Sequence, residues 1–176
     1  MATTKKTSAK KSDKTLDDLF LHGLKDIYYA EKKILKALPK MAKNAESDEL
    51  TAAFQKHRDE TEGQVERLTQ VFEILGKRAQ GTTCPAIDGI LEEGDEVLED
   101  YEGTPALDAG LVGSAQAVEH YEICRYTGLK GWATLLGMPD AAKLLDQNLQ
   151  EELATLDALT ALGEGGVNQR ALEEAA

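Results

Sequence analysis

Glutamates recur on the apolar stripes of four predicted helices, where a charged side chain is unexpected. The five residues are Glu31, Glu60, Glu119, Glu122 and Glu152. A carboxylate that faces the core of a helix bundle is costly unless it is paired or bound to a cation. Several carboxylates that converge in one place also repel one another. A pair of divalent or trivalent metal ions would resolve both problems, and carboxylate oxygens suit iron and manganese.

The spacing of these glutamates is similar in the two halves of the chain. Glu31 and Glu60 are 29 residues apart, and Glu119 and Glu152 are 33 residues apart. This similarity predicts that the two pairs lie at one level of the bundle. Three polar neighbours are candidates for further ligands or for outer contacts, because they lie about one helical turn from a glutamate: His57, Gln64 and Tyr126.

A structural explanation competes for each glutamate taken alone. The chain has 32 acidic residues among 176, so a single glutamate at the edge of a stripe carries little information. A long side chain can also reach solvent from a flanking position. Tyr126 could equally be a core residue. The agreement of the whole set at matching levels favours a metal site.

Apolar residues at alternating steps of three and four predict the helices that position this set. Four long helices are expected over residues 15–45, 47–76, 104–137 and 139–163, and a short acidic helix over 85–101. Thr15, Ser47 and Thr104 are the expected N-caps. Pro39 predicts a kink or a break within the first helix.

The connections between these helices predict the fold. The first pair and the last pair are joined by short turns, whereas about 28 residues connect the second long helix to the third. One long crossover distinguishes a ferritin-like bundle from a simple up-and-down bundle. The sequence therefore predicts an all-α, ferritin-like antiparallel four-helix bundle over residues 15–163, with the short helix in the crossover.

The two ends of the chain differ from this body. Five lysines lie in residues 1–14 of a chain whose net charge is -12, so the remaining body is strongly acidic. We expect 1–14 to be a disordered Lys-rich tail and 164–176 to be a flexible C-terminal tail. The acidic body should repel nucleic acid and anionic membranes, and only the basic tail could contact nucleic acid weakly.

Cysteine usage and the N-terminus predict the compartment. Cys84 and Cys124 form no C-x-x-C pair, and the N-terminus has lysines but no apolar segment of a secretory signal. No apolar run approaches the roughly 18 residues that a membrane span needs. We expect a cytoplasmic protein with reduced thiols.

Four stretches resemble the YciF/YciE-like ferritin-like proteins, a bacterial stress-associated family. They are LKDIYYAEKKILKALPKMA, FQKHRDETEGQVERLTQVFEILG, CPAIDGILEEG and VEHYEICRYTGL, and the resemblance extends over about residues 15–163. The family is similar to rubrerythrin-type bundles. The resemblance implies a di-iron or related dimetal centre, a homodimer and a role in the stress response.

The resemblance also implies roles for the individual glutamates. Glu31 matches the ligand of the first helix and Glu60 the bridging carboxylate of the second. Glu119 and Glu122 match the two glutamates of the third helix, and Glu152 matches the carboxylate of the fourth.

The sequence departs from the Glu-x-x-His pattern of such sites. Gly63 and Thr155 stand where histidines would follow Glu60 and Glu152. His57 precedes Glu60 by three residues, so it could form a reversed pair or could be an outer or interface residue.

Two functions are therefore in competition. In the first, two iron or manganese ions of uncertain occupancy react with peroxide or oxygen and receive electrons from an unknown donor. In the second, the chain is a non-enzymatic dimeric stress or scaffold protein with a degraded or empty site. Ferritin-like storage, or DNA protection by the basic tail, is a third and weaker interpretation.

Overall fold

The computed structural model describes residues 14–173, and this part of the chain is helical without a β-strand. Its helices are α1 (Leu16–Asn44), α2 (Asp48–Ile74), α3 (Pro85–Asp100), α4 (Leu107–Leu135), α5 (Pro139–Leu162) and α6 (Asn168–Glu173). A π-helical turn, Gly163–Val167, joins α5 to α6. The prediction of an all-α chain is confirmed. The Lys-rich segment, except for Lys14, lies outside the described residues.

Local capping explains where most of these helices begin. The Thr15 hydroxyl accepts a hydrogen bond from the backbone N–H of Asp18, whose carboxylate accepts one from the Thr15 backbone in return. The Ser47 hydroxyl caps α2 by accepting a hydrogen bond from the backbone N–H of Leu50. Pro85 and Pro139 occupy the first positions of α3 and α5, where the missing N–H has no helical partner to lose.

The four long helices enclose one apolar core. α1 packs against α2 and α4, and α5 packs against α2 and α4, so each long helix has two long neighbours. Because three residues separate α1 from α2 and three separate α4 from α5, each of these pairs is an antiparallel hairpin. The largest fully buried side chains include Phe20, Phe54, Phe72 and Tyr126. Burial of such residues is the main favourable contribution to folding.

The crossover between α2 and α4 carries α3 across the outside of the bundle. α3 packs against both α1 and α4, and it buries Ile87, Gly94 and Leu98. An added Cβ at Gly94 would lie 3.1 Å from the methyl group of Met41, so a side chain there would crowd α1. α3 therefore covers the seam between α1 and α4, next to the glutamates of those two helices.

Three details differ from the sequence expectations. α4 begins two residues after Pro105, because the Thr104 hydroxyl donates to the Tyr101 carbonyl (2.8 Å) instead of capping the helix. α1 continues through Pro39 without a break, and Pro39 is solvent-exposed. Helical turns continue from residue 164 to Glu173, with a kink at Gly166 (φ 136°), where a flexible tail was expected, and the buried Val167 anchors this segment.

None of the helices in the described part of the chain is both long enough and apolar enough to cross a membrane.

Candidate metal centre

Four of the five predicted glutamates are buried at the centre of the bundle. Glu31 projects from α1, Glu119 and Glu122 from α4, and Glu152 from α5. Each is essentially inaccessible to solvent. On each helix they lie on the stripe, with residues three or four apart, that otherwise carries apolar side chains. Because this stripe faces the core, the carboxylates are buried when the helices pack.

Three of these glutamates and one histidine form a compact cluster. One candidate ligand atom from each of His57, Glu119, Glu122 and Glu152 lies within 4.8 Å of the others. His57 Nε2 lies 3.2 Å from Glu119 Oε1, without the geometry of a hydrogen bond. The structure thus brings His57 of α2 to the same place as the carboxylates of α4 and α5.

Glu31 adjoins this cluster and is held by a tyrosine. The Tyr126 hydroxyl donates a hydrogen bond to Glu31 Oε1, and Glu31 lies close enough to Glu122 for its charge to raise the pKa of that carboxyl group. The Asn148 amide donates to the Tyr126 hydroxyl at 2.9 Å. Tyr126 is therefore an outer contact that orients a candidate ligand.

A polar chain leads from Tyr126 to the surface between α2 and α5. Arg67 donates through Nε to the Asn148 side-chain oxygen and through its terminal nitrogen to Glu151. The Arg67 and Glu151 side chains are partly exposed. The sequence pattern did not indicate these three residues. Only Asn148 could have been found from the sequence, because this polar residue lies on the apolar stripe of α5 between Leu145 and Leu149.

Glu60 and Gln64 are less central than the other candidates. The Glu60 side chain is 24% exposed and forms an ion pair with Lys56 through Oε1. Its second oxygen is buried and has no hydrogen-bond partner among the described residues. Gln64 is fully buried, but its amide donates to Glu151 at 3.1 Å, so it belongs to the polar chain between α2 and α5.

Burial and mutual repulsion keep protons on the carboxyl groups. Desolvation raises the pKa of Glu31 and of Glu119 to about 8. Burial, together with the neighbouring carboxylates, raises the pKa of Glu122 and of Glu152 well above the ordinary value. Burial lowers the pKa of His57 to about 4, so its imidazole is neutral at physiological pH. Without a cation, the centre therefore binds protons.

The unpaired atoms of the centre test whether a metal would fit. Within residues 14–173, eleven buried side-chain nitrogen and oxygen atoms lack a hydrogen-bond partner. Nine of them belong to six residues, namely Glu31, His57, Glu60, Glu119, Glu122 and Glu152. Unsatisfied buried polar atoms are uncommon and costly in native proteins. Their concentration at one place fits a cation site, and the donor set of many oxygens and one imidazole suits iron or manganese.

Thr155 stands where the expected pattern has a histidine, and it is almost inaccessible to solvent. Thr155 of α5, three residues after Glu152, is nearly buried, and its hydroxyl finds no partner in the described part of the chain. A neutral hydroxyl is a poor ligand. His57 is therefore the nitrogen donor that the described residues bring to the cluster.

Comparison with known proteins agrees with the fold and identifies the family. A family model described as "Domain of unknown function (DUF892)" matches residues 15–172. Protein YciF of Escherichia coli K12 is 43% identical over 163 residues, which cover 92% of this chain and 98% of the relative.

Solved structures of relatives have the same fold. The crystal structure of YciF, described as an E. coli stress protein, superimposes with a TM-score of 0.84 at 44% identity and covers 88% of this chain and 98% of YciF. YcfI from Rhodopseudomonas palustris, whose description suggests a structural role, gives a TM-score of 0.83 at 47% identity and covers 87% and 98%. A Xanthomonas campestris protein shares the fold at 20% identity, with a TM-score of 0.71. With nearly the whole described chain matched, the protein belongs to the DUF892 family.

Proposed function

We propose that this chain is a ferritin-like stress-response protein that binds two iron or manganese ions in its core and handles peroxide or oxygen. The observation that carries the proposal is the group of unpartnered carboxylate and imidazole atoms at the centre of residues 14–173. Bound cations would satisfy most of these atoms, because the carboxylate oxygens and one imidazole nitrogen can all act as ligands.

The residues divide between two positions in this proposal. His57, Glu119 and Glu152 would hold one ion, and their candidate ligand atoms are close enough together to share it. Glu31 would hold the second, and Glu60, which has one buried oxygen without a partner and a charge that acts on Glu119, is a further candidate ligand. Glu122 would be shared, because it lies in the cluster and is also close enough to Glu31 to interact with its charge.

The protein residues around this centre would orient it and exclude water. Two bound iron or manganese ions would supply the electrons that reduce dioxygen or peroxide. Tyr126 keeps its proton because burial and Glu31 raise its pKa, and it therefore continues to donate to Glu31. The buried apolar residues of α1 and α4 keep bulk water away, which strengthens the electrostatic interactions inside.

The ferritin-like arrangement is part of the proposal. Two antiparallel hairpins, joined by a long crossover that carries α3, support it. The stress role rests on the similarity to the E. coli stress protein YciF. We also infer a homodimer from the family resemblance and a cytoplasmic location from the cysteine usage, and light scattering of the purified chain would measure its mass.

Metal content tests this function. Protein purified without chelators and loaded anaerobically with Fe(II) or Mn(II) should contain two ions per chain by mass spectrometry. Glu122→Gln should remove most of this binding, because the shared ligand loses its charge. Glu66→Gln is the matched control, since Glu66 is exposed on α2. Protein that remains metal-free after loading would contradict the proposal.

A non-enzymatic scaffold is the second candidate function. The described residues bring a single histidine to the cluster, and the description of YcfI suggests a structural role for that relative. The raised pKa values of the four glutamates would then describe a resting state in which protons replace metal. A chain that binds two ions and consumes peroxide would rule this candidate out, whereas metal-free protein would favour it.

A further inference from the structure

A wide groove runs along the outside of the bundle between α1 and α3. Its volume is about 440 Å³. α1 contributes Lys33, Lys36 and Lys40 to its rim, and α3 contributes three acids, Asp88, Glu92 and Asp95. Two ion pairs span the groove, from Lys33 to Asp88 at 3.1 Å and from Lys40 to Asp95 at 2.7 Å. The opposite charges balance, so the rim favours neither anions nor cations.

A narrow cleft continues inward from the floor of this groove. Ala37, Met41 and Leu91 line both the groove and the cleft. The cleft has a volume of about 10 Å³, and His57 and Glu119 of the cluster form part of its wall. Its other lining residues are apolar. The volume is about that of one water-sized molecule.

We propose that this cleft is the route by which a small uncharged oxidant reaches the cluster, with Ala37 as the residue that sets its width. The proposal rests on the function proposed above and adds the class of molecule that enters: an uncharged species of the size of dioxygen or hydrogen peroxide. Ala37 stands between the two ion pairs on α1, four residues after Lys33 and three before Lys40.

The chemistry of the cleft explains this selectivity. An ion would lose its hydration among apolar side chains, which is far more costly than the same transfer of a neutral molecule. A molecule larger than a few atoms would have to displace Leu91 or Met41, which close the groove floor. The small side chain of Ala37 leaves the space that a Leu would fill. Ala37 and Leu91 are half-buried, so both can be changed at the surface of the bundle.

A second approach to the centre competes with this route. The side chain of Glu60 is partly exposed at the edge of α2, beside Lys56. If oxidants enter there, changes at Ala37 will have no effect on their access. The two routes lie on different helices, so variants can separate them.

The first arm of the test uses metal-free protein and therefore does not depend on metal binding. Hydrogen peroxide converts methionine to its sulfoxide. Met41 lies where the groove meets the cleft, and half-buried Met138 serves as the internal reference in the same chain. Peptide mass spectrometry should show that Ala37→Leu slows oxidation of Met41 relative to Met138 several-fold. Leu91→Ala should accelerate it, and Ala42→Leu, a half-buried change on the same helix outside both cavities, should leave it unchanged.

The second arm uses the iron-loaded protein and a spectroscopic readout. Nitric oxide is a neutral diatomic probe, and its association with ferrous protein can be followed by stopped-flow absorbance. Ala37→Leu should slow association several-fold and Leu91→Ala should accelerate it, with iron content unchanged. Dioxygen and hydrogen peroxide, tested separately in the same variants, distinguish which oxidant depends on the cleft.

The outcomes are separable. If Met41 oxidation and nitric oxide association in Ala37→Leu both equal those of the unchanged protein, the route is wrong and the approach beside Glu60 replaces it. If no variant and no parent protein binds iron, the proposed function fails. The Met41 result in the metal-free protein then still decides whether a small neutral oxidant enters the mouth of the cleft beside Ala37.

Discussion

Replacing Glu31 by glutamine should stabilise the metal-free protein, and more so as pH rises. Glu31 is fully buried, and burial raises its pKa from 4.5 to about 8. Between pH 4.5 and about pH 8, the folded protein holds a proton on Glu31 that the unfolded chain releases. Stability falls with rising pH wherever the unfolded state binds fewer protons. Glutamine has a similar shape and cannot ionise, and its oxygen can still accept the hydrogen bond from Tyr126.

The size of this effect follows from the pKa difference. One pKa unit corresponds to about 1.4 kcal/mol. At pH 7, about 2.5 units above the ordinary pKa of glutamate, the gain from Glu31→Gln is on the order of 3 kcal/mol. It approaches zero near pH 4.5 and stops growing near pH 8.

Urea unfolding of chelator-treated protein at several pH values measures this effect. His57 acts in the opposite direction below pH 6.5, because its pKa of about 4 in the folded protein makes the unfolded state the better proton acceptor there. The interval from pH 6.5 to pH 8 therefore isolates the glutamates. Glu66→Gln on the exposed face of α2 is the control. If Glu31→Gln and the parent protein lose stability in parallel across this interval, the argument from buried, protonated carboxyl groups is refuted.

Two further predictions concern the polar contacts around the bundle. Tyr126→Phe removes the hydroxyl that joins Glu31 to Asn148, so we expect the free energy of unfolding in urea to fall by about 1–3 kcal/mol and metal binding to weaken. An unchanged free energy of unfolding together with unchanged metal binding would contradict the positioning role of Tyr126. Asp108→Ala leaves the backbone N–H groups of Glu46 and Ser47 without the carboxylate that accepts them at 2.8 Å, and should cost about 2–3 kcal/mol with no change in metal content. A loss of metal binding in Asp108→Ala would show that the α1–α2 turn influences the centre.

The sequence predicted the helices well because their ends depend on nearby residues. Thr15, Ser47, Pro85 and Pro139 act within one turn, so the sequence alone located the helices that they begin. The observed start of α4 differs from the predicted one because the Thr104 hydroxyl donates a hydrogen bond to the Tyr101 carbonyl. This contact depends on the conformation of the crossover.

The inward position of the glutamates could also be predicted from local sequence, because helical periodicity decides which face of a helix is buried.

Contacts that depend on how two helices face each other could not be predicted from the sequence. The chain from Tyr126 through Asn148 to Arg67 requires the observed register of α5 against both α4 and α2. The cleft at Ala37 requires that α3 lie over the seam between α1 and α4.

The most direct test of the central claim is anomalous diffraction from crystals of protein loaded with Fe(II) or Mn(II). We predict two anomalous peaks per chain in the core, one against His57, Glu119 and Glu152 and one against Glu31, with Glu122 contacting both. Crystals that show no peak in the core, or peaks only at surface carboxylates, would contradict it.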